Sequence, residues 1–387
     1  MSTHGFQTPP ELEGLRVVLV HDWLTGMRGG EKVLEAFGRI FPHAPIYTLL
    51  HLPGTVSESI ESHPIHTSLI QKLPMMASRY RYYLPLFPRA MERMRLPECD
   101  LVISCSHCVA KGVVPPAGAT HVSYVFTPMR YVWDMHDEYF GPGRGGLAAK
   151  VMPLFRGRLQ SWDVAGCDRV DHFVADSAHV AGRMQRHYDR QAEVIYPPVD
   201  TERFALADEI EDYYLVVSAL APYKRVDLAV SACTASGRRL KVVGAGPEEA
   251  KLKSMAGPNV EFLGWQSDEA LAGLYAKAQA LLFPGEEDFG ITPLEAMASG
   301  RPVAAYGVGG ALETVVGLGD GGGRAPTGVF FDRQEPEALI AAMQQLEDSQ
   351  NAFDPKALQA RAAEFSHAAF FENIFDYLKQ TLQLPKG

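Results

Sequence analysis

The sequence predicts an α/β protein built from two doubly wound, Rossmann-like domains. Short apolar runs alternate along the chain with segments in which apolar residues recur at helical spacing. Several runs, such as VVLV and ALLF, are apolar at every position, as is typical of parallel strands buried on both faces. The alternation occurs twice, on either side of a junction with two prolines, YPPVDTERF at residues 196–204. This pattern predicts two open parallel sheets, each covered by helices.

The strand candidates are distributed evenly over the two halves. The first half holds RVVLVHDW, DLVISCS, HVSYVFTP, HFVADS and EVIYPP, and the second holds YYLVVSA, KVVGAG, VEFLGW, ALLFPG and PVAAYG. Segments of helical spacing, such as EKVLEAFGRIF and DEALAGLYAKAQA, lie between them. The predicted organisation is a first domain at residues 1–197, a linker at 198–204 and a second domain at 205–365.

The last segment, residues 366–387, is predicted to form one amphipathic helix. Its apolar side chains share one helical face: Phe370, Phe371, Ile374, Phe375, Leu378 and Leu382. We expect this helix to pack back onto the first domain.

Composition is that of a globular protein. The 387 residues are 47% apolar and 21% charged, and this length suggests about two domains. The longest apolar runs fall short of the roughly 18 residues that a membrane span needs, and the N-terminal sequence lacks a secretory pattern. Five cysteines, an odd number, indicate reduced thiols and a cytoplasmic location. Cys105 and Cys108 form a C-x-x-C, which we interpret as a coincidence rather than a metal or redox site.

Charge argues against nucleic acid as a partner. The net charge is −10, and residues 1–200 carry 20 basic and 20 acidic side chains, so neither half has a basic excess. One local exception is the segment at residues 72–95, where six basic side chains meet the single acid Glu92. Tyrosine, phenylalanine, leucine and methionine side chains lie between these charges. The segment is either a helix with a solvated charged face or a patch that contacts an anionic lipid surface.

Ligands of open parallel sheets bind outside the carboxyl ends of the strands, and the two domains are expected to face each other across a cleft. Gly29 and Gly30 follow the first strand and precede a helix predicted to begin near Glu31. Their backbone N–H groups could receive an oxyanion, or the pair could be a structural turn. A second glycine loop, YGVGGALETV at residues 306–315, also follows a strand and opens a helix.

Cationic side chains follow the first strand of the second domain. Lys224 and Arg225 lie in the loop after YYLVVSA, in an otherwise acidic domain, and suggest a phosphate site, although such pairs are usually solvated. The G-x-G of KVVGAGPEEAKL lacks the further glycine and the acidic residue of a dinucleotide site. The sequence has no D-x-D pair, so no metal ion is expected, and side-chain cations with helix dipoles must neutralise a diphosphate.

Two glutamates stand out in GEEDFGITPLEAMASG, residues 285–300. Glu287 and Glu295 are separated by seven residues and follow a predicted strand. Thr292, Pro293 and Glu295 also match a capping box, in which the glutamate only satisfies a backbone N–H. Glu287 has no capping role in this pattern.

The order of these motifs resembles glycosyltransferase family 4, which comprises retaining sugar transferases of the GT-B fold. The resemblance covers nearly the whole chain. It rests on the spacing of Glu287 and Glu295, the first glycine pair, and the segments DLVISCSHCVAKGV, HVSYVFTPMRYVWD, VIYPPVDTERF, LAPYKRVDL and VEFLGW. TPMRYVWD and PYKRVDL are most similar to the mannosyltransferase-type branch that builds O-antigen and exopolysaccharide units on lipid carriers.

The resemblance implies roles for individual residues. Glu295 would bind the ribose hydroxyls of a nucleotide sugar, and Glu287 would lie near the donor sugar. Lys224 and Arg225 would neutralise the departing diphosphate. The remaining contacts are expected from backbone groups: Gly29 and Gly30 for the β-phosphate, Phe289, Gly290, Ile291 and Thr292 for the sugar and phosphate, and Gly264 and Trp265 for the base.

Two positions depart from the family pattern. Phe126 stands where the family often has histidine, and Ala219 where it commonly has arginine, so that a candidate sugar or oxyanion contact and one diphosphate cation are missing. His107 and Arg130 are candidate substitutes, although His107 also fits a capping or core role. A sugar-nucleotide-binding protein with little or no transferase activity therefore remains the alternative, with a nucleotide-sugar epimerase as a third.

The resemblance also implies substrates. GDP-mannose is the first expectation for the donor, with a UDP-sugar as the alternative. The acceptor would be a saccharide or a polyprenyl-diphosphate-linked saccharide. A lipid-linked acceptor favours the lipid-contact interpretation of residues 72–95, at the inner face of the cytoplasmic membrane.

Overall fold

The computed structural model describes residues 8–134, 147–319 and 322–383, with side chains in the helix Leu147–Ala165 described from Met152 onward. The chain divides into two units, Met1–Pro198 with Phe370–Gly387, and Val199–Ala369. The residues predicted as a linker fall almost entirely in the second unit. There, Val199 bridges to Ser366 and Phe204 is buried, so this segment is packed structure.

The first unit contains a seven-stranded parallel sheet of order β3-β2-β1-β4-β5-β6-β7. Its strands are β1 (Val17–His21), β2 (Ile46–Thr48), β3 (Ile65–Thr67), β4 (Leu101–Ser106), β5 (Thr120–Val125), β6 (His172–Ala175) and β7 (Glu193–Val194). The central strands β1 and β4 are buried at every position, which explains their unbroken apolar character. The sequence does not predict β2 and β3, because three residues make too short a pattern.

Helices cover both faces of this sheet. They are α1 (Pro10–Glu13), α2 (Gly29–Ile40), α3 (Glu58–Glu61), α4 (Met76–Arg79), α5 (Phe87–Glu92), α6 (Leu147–Ala165) and α7 (Ala178–Tyr188). Alternate residues of β1 enter different cores: Leu19 packs with α2, whereas Val20 packs with α5 and α6. This alternation is what a strand buried on both faces requires.

The last helix, α15 (His367–Thr381), packs in the first unit. Phe370, Phe371, Ile374 and Leu378 are buried in the same core as α2. The Phe370 ring lies 5.8 Å from the Phe37 ring and 6.3 Å from that of Tyr124. The chain thus returns to the first unit after completing the second.

Several apolar side chains of the segment 72–95 belong to the core. Tyr80, Leu84, Phe87 and Met91 are buried against α6 and β1. These four side chains are therefore not available to enter a lipid surface. In the described ranges, no helix is long and apolar enough to cross a membrane.

The second unit contains a six-stranded parallel sheet of order β10-β9-β8-β11-β12-β13. Its strands are β8 (Tyr214–Val217), β9 (Leu240–Val243), β10 (Val260–Gly264), β11 (Ala280–Phe283), β12 (Val303–Tyr306) and β13 (Gly328–Phe331). Its helices are α8 (Val226–Ser236), α9 (Glu249–Met255), α10 (Asp268–Lys277), α11 (Ile291–Ala298), α12 (Ala311–Thr314), α13 (Pro336–Asp348) and α14 (Pro355–Ala363). Both units are doubly wound α/β structures, as the sequence predicts.

The strand orders place one switch point in each sheet. The order reverses between β1 and β4 in the first unit and between β8 and β11 in the second. Ligands of such sheets bind outside the carboxyl ends of the two strands that flank the reversal. Ligand-binding residues are therefore expected after β1 and β4 in the first unit, and after β8 and β11 in the second.

Candidate active site

Lys224 and Glu287 meet at the switch point of the second sheet. Lys224 is the last residue of a short 3-10 helix, Pro222–Lys224, that follows β8, and Glu287 lies in the loop after β11. The Lys224 ammonium donates a hydrogen bond to Glu287 Oε1. Both side chains are mostly buried, so their charges are poorly screened by water. These two charged side chains therefore lie at the position where ligands bind in this kind of fold.

Arg225 follows directly and has a left-handed backbone, with φ of 50°. Such a conformation is uncommon for a residue with a side chain and occurs where the surroundings impose it. Its guanidinium is held by the Asp227 carboxylate at 3.2 Å and donates to the Gln334 amide oxygen at 3.0 Å. Gln334 in turn donates to the Pro284 carbonyl at 2.8 Å. Arg225 therefore ties the loops after β8, β11 and β13 together.

The second glycine loop supports the backbone that carries Glu287. Gly310 N donates to Glu287 O at 2.9 Å, and Gly309, at φ of 73°, bridges to Glu287. A Cβ on Gly309 would lie 2.4 Å from Glu287 O, and one on Gly310 would lie 2.3 Å from Phe289 O. Only glycine fits where two backbones approach this closely. These two glycines of the loop at residues 306–315 are thus required by backbone packing, independently of any ligand.

Helix α11 begins earlier than the sequence predicts. It starts at Ile291, and its N-cap is Gly290 at φ of 87°, without a side-chain cap. The capping box of Thr292, Pro293 and Glu295 is therefore wrong, because Thr292 is already the second helical residue. The first-turn N–H groups of a helix have no intrahelical partner. Those of Ile291 and Thr292 lie in this first turn.

Glu295 is buried and held by two side chains. Its carboxylate accepts a hydrogen bond from the Tyr275 hydroxyl at 2.9 Å and from Arg203 at 3.2 Å. Arg203 also pairs with Asp268 at 2.9 Å, and its guanidinium lies 4.7 Å from the Phe204 ring. Burial, followed by the Glu295 charge, raises the pKa of the Tyr275 phenol. Sequence reasoning missed Arg203 and Tyr275, because their link to Glu295 appears only when separate segments fold together.

Two other predicted contacts lie further along the second sheet. Gly264 ends β10, the edge strand two positions from β8, with φ of 66°. Trp265 follows it and is 80% exposed. An indole so open to solvent is unusual for tryptophan. Phe289, in contrast, is buried, with its ring 5.8 Å from that of Phe365.

In the first unit, the predicted glycine loop is helical. Gly29 and Gly30 are the first two residues of α2, which begins two residues before the predicted start near Glu31. A Cβ on Gly30 would lie 3.2 Å from the Phe126 ring and 3.4 Å from the His21 ring. The close approach of Phe126, after β5, therefore gives Gly30 a packing role as well.

His107 lies after β4 and contacts Asp22, which follows β1. The distance from His107 Nδ1 to Asp22 Oδ2 is 3.1 Å. Burial lowers the pKa of the His107 imidazole, and the charge of Arg130 lowers it further, against the opposing effect of Asp22. Arg130 lies in the turn after β5. Asp22 is a residue that sequence reasoning missed, although it stands directly after a buried strand.

Metal-ligand chemistry is not apparent in the described residues. Within those ranges, no group of three or more histidine, cysteine or carboxylate side chains could hold an ion. Cys105 and Cys108 are free, buried thiols, and burial raises the pKa of each.

Comparison with known proteins gives one family match. Residues 199–365 match the family model described as glycosyl transferases group 1. The O-antigen chain mannosyltransferase RfbU of Salmonella typhimurium is 33% identical over 147 residues, which are 35% of this chain and 42% of that protein. A GDP-mannose-dependent alpha-mannosyltransferase of Mycolicibacterium smegmatis is 38% identical over 100 residues, 26% of either chain.

A third relative has a different named activity. A D-inositol 3-phosphate glycosyltransferase of Rhodococcus opacus is 29% identical over 227 residues, 50% of this chain and 48% of that protein. The aligned stretches thus span less than half the length of each of these relatives.

The fold is similar to that of solved glycosyltransferase structures. The structure of Anabaena HepE in complex with UDP aligns with a TM-score of 0.69 at 16% identity, covering 94% of this chain and 100% of that one. We conclude that this chain has the GT-B fold and that its residues 199–365 match the glycosyl transferases group 1 family.

Proposed function

We propose that the chain is a retaining glycosyltransferase that moves a hexose from a nucleotide sugar to a saccharide acceptor. The observation that carries this proposal is the contact of Lys224 with Glu287 at the switch point of the second sheet. It brings together a cation suited to a diphosphate and a carboxylate suited to sugar hydroxyls. Both lie in the stretch that matches the family model.

The donor would occupy the second unit. Lys224 would exchange part of its interaction with Glu287 for the diphosphate, with Arg225 adding a second cation. The free N–H groups at the start of α11 add favourable dipoles for the same phosphates. Glu295, fixed by Tyr275 and Arg203, would accept hydrogen bonds from the ribose hydroxyls. The base would lie against Gly264 and Trp265.

The acceptor would bind the first unit. Its hydroxyl attacks the anomeric carbon from the face that the diphosphate leaves. A carbon–oxygen bond to the acceptor forms while the bond to the diphosphate breaks, and a phosphate oxygen takes the hydroxyl proton. Catalysis then consists of positioning and charge stabilisation, without a metal ion.

We propose GDP-mannose as the donor and a lipid-linked saccharide of a surface polysaccharide as the acceptor. The mannosyltransferases among the relatives support this choice. The inositol-phosphate enzyme and the UDP complex of HepE support a UDP-sugar as the alternative. Incubation of the purified full chain with each nucleotide sugar and membrane lipid extract tests the proposal. Transfer of sugar with release of nucleotide supports it, and no transfer with any donor would contradict it.

Glu295→Gln serves as the site variant in the same experiment. The amide keeps the shape of the side chain but loses the charge that would hold the ribose hydroxyls. We expect nucleotide affinity to fall by about 2 kcal/mol, roughly thirtyfold, in calorimetric titrations with GDP. Glu347→Gln is a matched control, because Glu347 accepts from Tyr214 and Arg238 at 2.7 Å much as Glu295 accepts from Tyr275 and Arg203. Equal nucleotide affinities of the two variants would remove Glu295 from the donor site.

A sugar-nucleotide-binding protein without transferase activity is the second candidate. Phe126, in place of a histidine that the family often has, packs on Gly30. Ala219, in place of a common arginine, leaves one cation fewer after β8 than the family pattern has. Tight binding of a nucleotide sugar with neither transfer nor hydrolysis would favour this function.

We further propose that residues 72–95 rest on an anionic lipid surface. The six basic side chains of the segment are all exposed: Lys72, Arg79, Arg81, Arg89, Arg93 and Arg95. Met75, Tyr82 and Leu86 are 59%, 63% and 47% exposed beside them. Glu92, the one acid of the segment, is paired with Arg169 at 2.6 Å. Basic charge with exposed apolar side chains is the composition that binds anionic membranes.

Reversing the charges of Arg79, Arg81, Arg89 and Arg93 to glutamate is expected to weaken sedimentation with phosphatidylserine-containing vesicles about thirtyfold. Each basic residue near such a surface contributes about 1 kcal/mol, and two in contact suffice for this effect. A control variant reverses four exposed basic residues elsewhere, Arg39, Arg158, Arg186 and Lys251. Equal binding of the two variants would contradict the lipid contact.

A further inference from the structure

Asp22 joins the carboxyl ends of β1 and β4 in the first unit. The side chain is fully buried. Its Oδ2 accepts from the backbone N–H groups of His107 and Cys108 at 2.7 and 2.9 Å, and its Oδ1 from those of Val109 and Ala110 at 2.5 and 2.8 Å. Four N–H donors on one carboxylate offset the free-energy cost of burying it. The turn after β4 is therefore held in place from β1.

The same carboxylate favours a proton on Nδ1 of His107 over one on Nε2. Nδ1 of His107 lies 3.1 Å from Asp22 Oδ2. A carboxylate surrounded by N–H donors can only accept, so it attracts a proton on Nδ1 and would repel a lone pair there. Burial lowers the pKa of the ring and favours its neutral form. In a neutral imidazole whose Nδ1 is protonated, Nε2 has a lone pair and no proton.

Aromatic side chains hold the His107 ring in this orientation. Trp23 meets it edge-on at 4.4 Å between ring centroids, and the rings of His21 and Phe126 lie at 5.8 and 6.5 Å. The side chains that influence the pKa of this ring are those of Asp22, of His21 at the end of β1, of Glu31 in α2, and of Arg130. The His107 side chain nevertheless remains 25% exposed. The His107 ring, with Nε2 as its acceptor nitrogen, thus lies partly exposed at the switch point of the first sheet.

An acceptor nitrogen and a phosphate oxygen do not attract each other, because neither carries a proton. A contact of His107 with an oxyanion, one of the roles considered from the sequence, would need a proton on Nε2. A sugar hydroxyl, in contrast, can donate directly to that nitrogen. The geometry therefore favours a hydroxyl over a phosphate as the ligand of His107.

We propose that Nε2 of His107 accepts a hydrogen bond from the attacking hydroxyl of the saccharide acceptor, with Asp22 as the residue that positions His107. This inference rests on the proposed function and assigns the first unit a residue that selects and orients the acceptor. The hydroxyl proton still leaves with the phosphate. His107 fixes the direction of an oxygen lone pair on this hydroxyl, and such positioning is a large part of catalysis.

Two substitutions at His107 test the role. His107→Asn places an amide near Nδ1, so that it can still donate to Asp22, but it removes the acceptor at Nε2. We expect kcat/KM for the acceptor to fall about 10- to 100-fold, whereas the affinity for the nucleotide changes less than twofold. His107→Gln can place its amide oxygen near the position of Nε2, and we expect it to recover part of the loss.

Loss of nucleotide affinity in parallel with kcat/KM would overturn the inference in favour of a phosphate contact. Equal kcat/KM values of the asparagine variant and the wild type would overturn it as well. Nitrogen NMR of the full chain with ¹⁵N-labelled histidine gives a readout that needs no turnover, with His107→Asn identifying the signal. Protonation of Nδ1 alone near pH 7.5 supports the role of Asp22 in orienting His107, and a proton on Nε2 overturns the inference. This readout is valid even if the wild type transfers no sugar and the proposed function fails.

Discussion

Replacing Asp163 with alanine is expected to lower the free energy of unfolding of the first unit by about 3–5 kcal/mol. Asp163 lies on α6 and is fully buried, as is Lys111, whose ammonium donates to Asp163 Oδ1 at 2.7 Å. Trp133 and Tyr188 donate to the other carboxylate oxygen at 2.8 and 2.7 Å. The alanine variant leaves a buried ammonium without its counter-charge, and two further donors without an acceptor.

Urea unfolding followed by tryptophan fluorescence measures this loss. Three of the four tryptophans, Trp23, Trp133 and Trp162, lie in the first unit and are mostly buried, whereas Trp265 of the second unit is largely exposed. The fluorescence change therefore reports mainly on the first unit.

Asp168→Ala is the matched control for Asp163→Ala. Asp168 forms an exposed ion pair with Arg190 at 2.7 Å, and such pairs contribute about 0–1 kcal/mol. Lys111→Met combined with Asp163→Ala should lose less than the sum of the single changes, because neither charge is then left alone. Additive losses, or a loss near that of Asp168→Ala, would show that the buried pair is not coupled.

The long apolar strands of each half could be predicted from the sequence. β1, β4, β8 and β11 are buried on both faces, so their composition reports their position directly. Lys224 and Glu287 could be singled out because each follows such a strand. Their contact agrees with the rule that loops after neighbouring strands converge at a switch point.

Contacts between remote side chains could not be predicted. Asp22 reaches His107 only because β1 and β4 are neighbours in the sheet, and no local pattern encodes that neighbourhood. Arg203 and Glu295 are 92 positions apart, and the capping-box pattern suggested a local role for Glu295 instead. That prediction failed because Gly290, at φ of 87°, turns the chain into α11 two residues earlier. The backbone conformation of Gly290 therefore decides that Glu295 is not a capping residue.

Replacing Lys224 with alanine is expected to reduce kcat/KM for sugar transfer on the order of 10³-fold, or about 4 kcal/mol. In the proposed function, Lys224 stabilises the negative charge that develops on the leaving diphosphate. Both Lys224 and Glu287 are mostly buried at this site. A fixed cation in such a place is more effective than one in water. The measurement is initial-rate kinetics with the purified full chain and its best donor.

Lys241→Ala is the matched control, because Lys241 also lies on the second sheet and pairs with Glu211 at 3.3 Å. It belongs to β9 itself rather than to a loop at the carboxyl end, so we expect transfer within a factor of two of the wild type. Transfer by the Lys224 variant within tenfold of the wild type would contradict the role assigned to Lys224.

The Lys224 variant also leaves Glu287 unpaired and negatively charged beside the phosphates. Loss of activity could therefore come from a missing cation or from an added repulsion. Lys224→Ala combined with Glu287→Gln separates the two causes, because it removes the repulsion without restoring the cation. If Lys224 acts on the diphosphate, the double variant stays near the activity of the single one. Recovery to near wild-type activity would instead make Lys224 a partner that neutralises Glu287, and the diphosphate would then depend on Arg225 and the amides of α11.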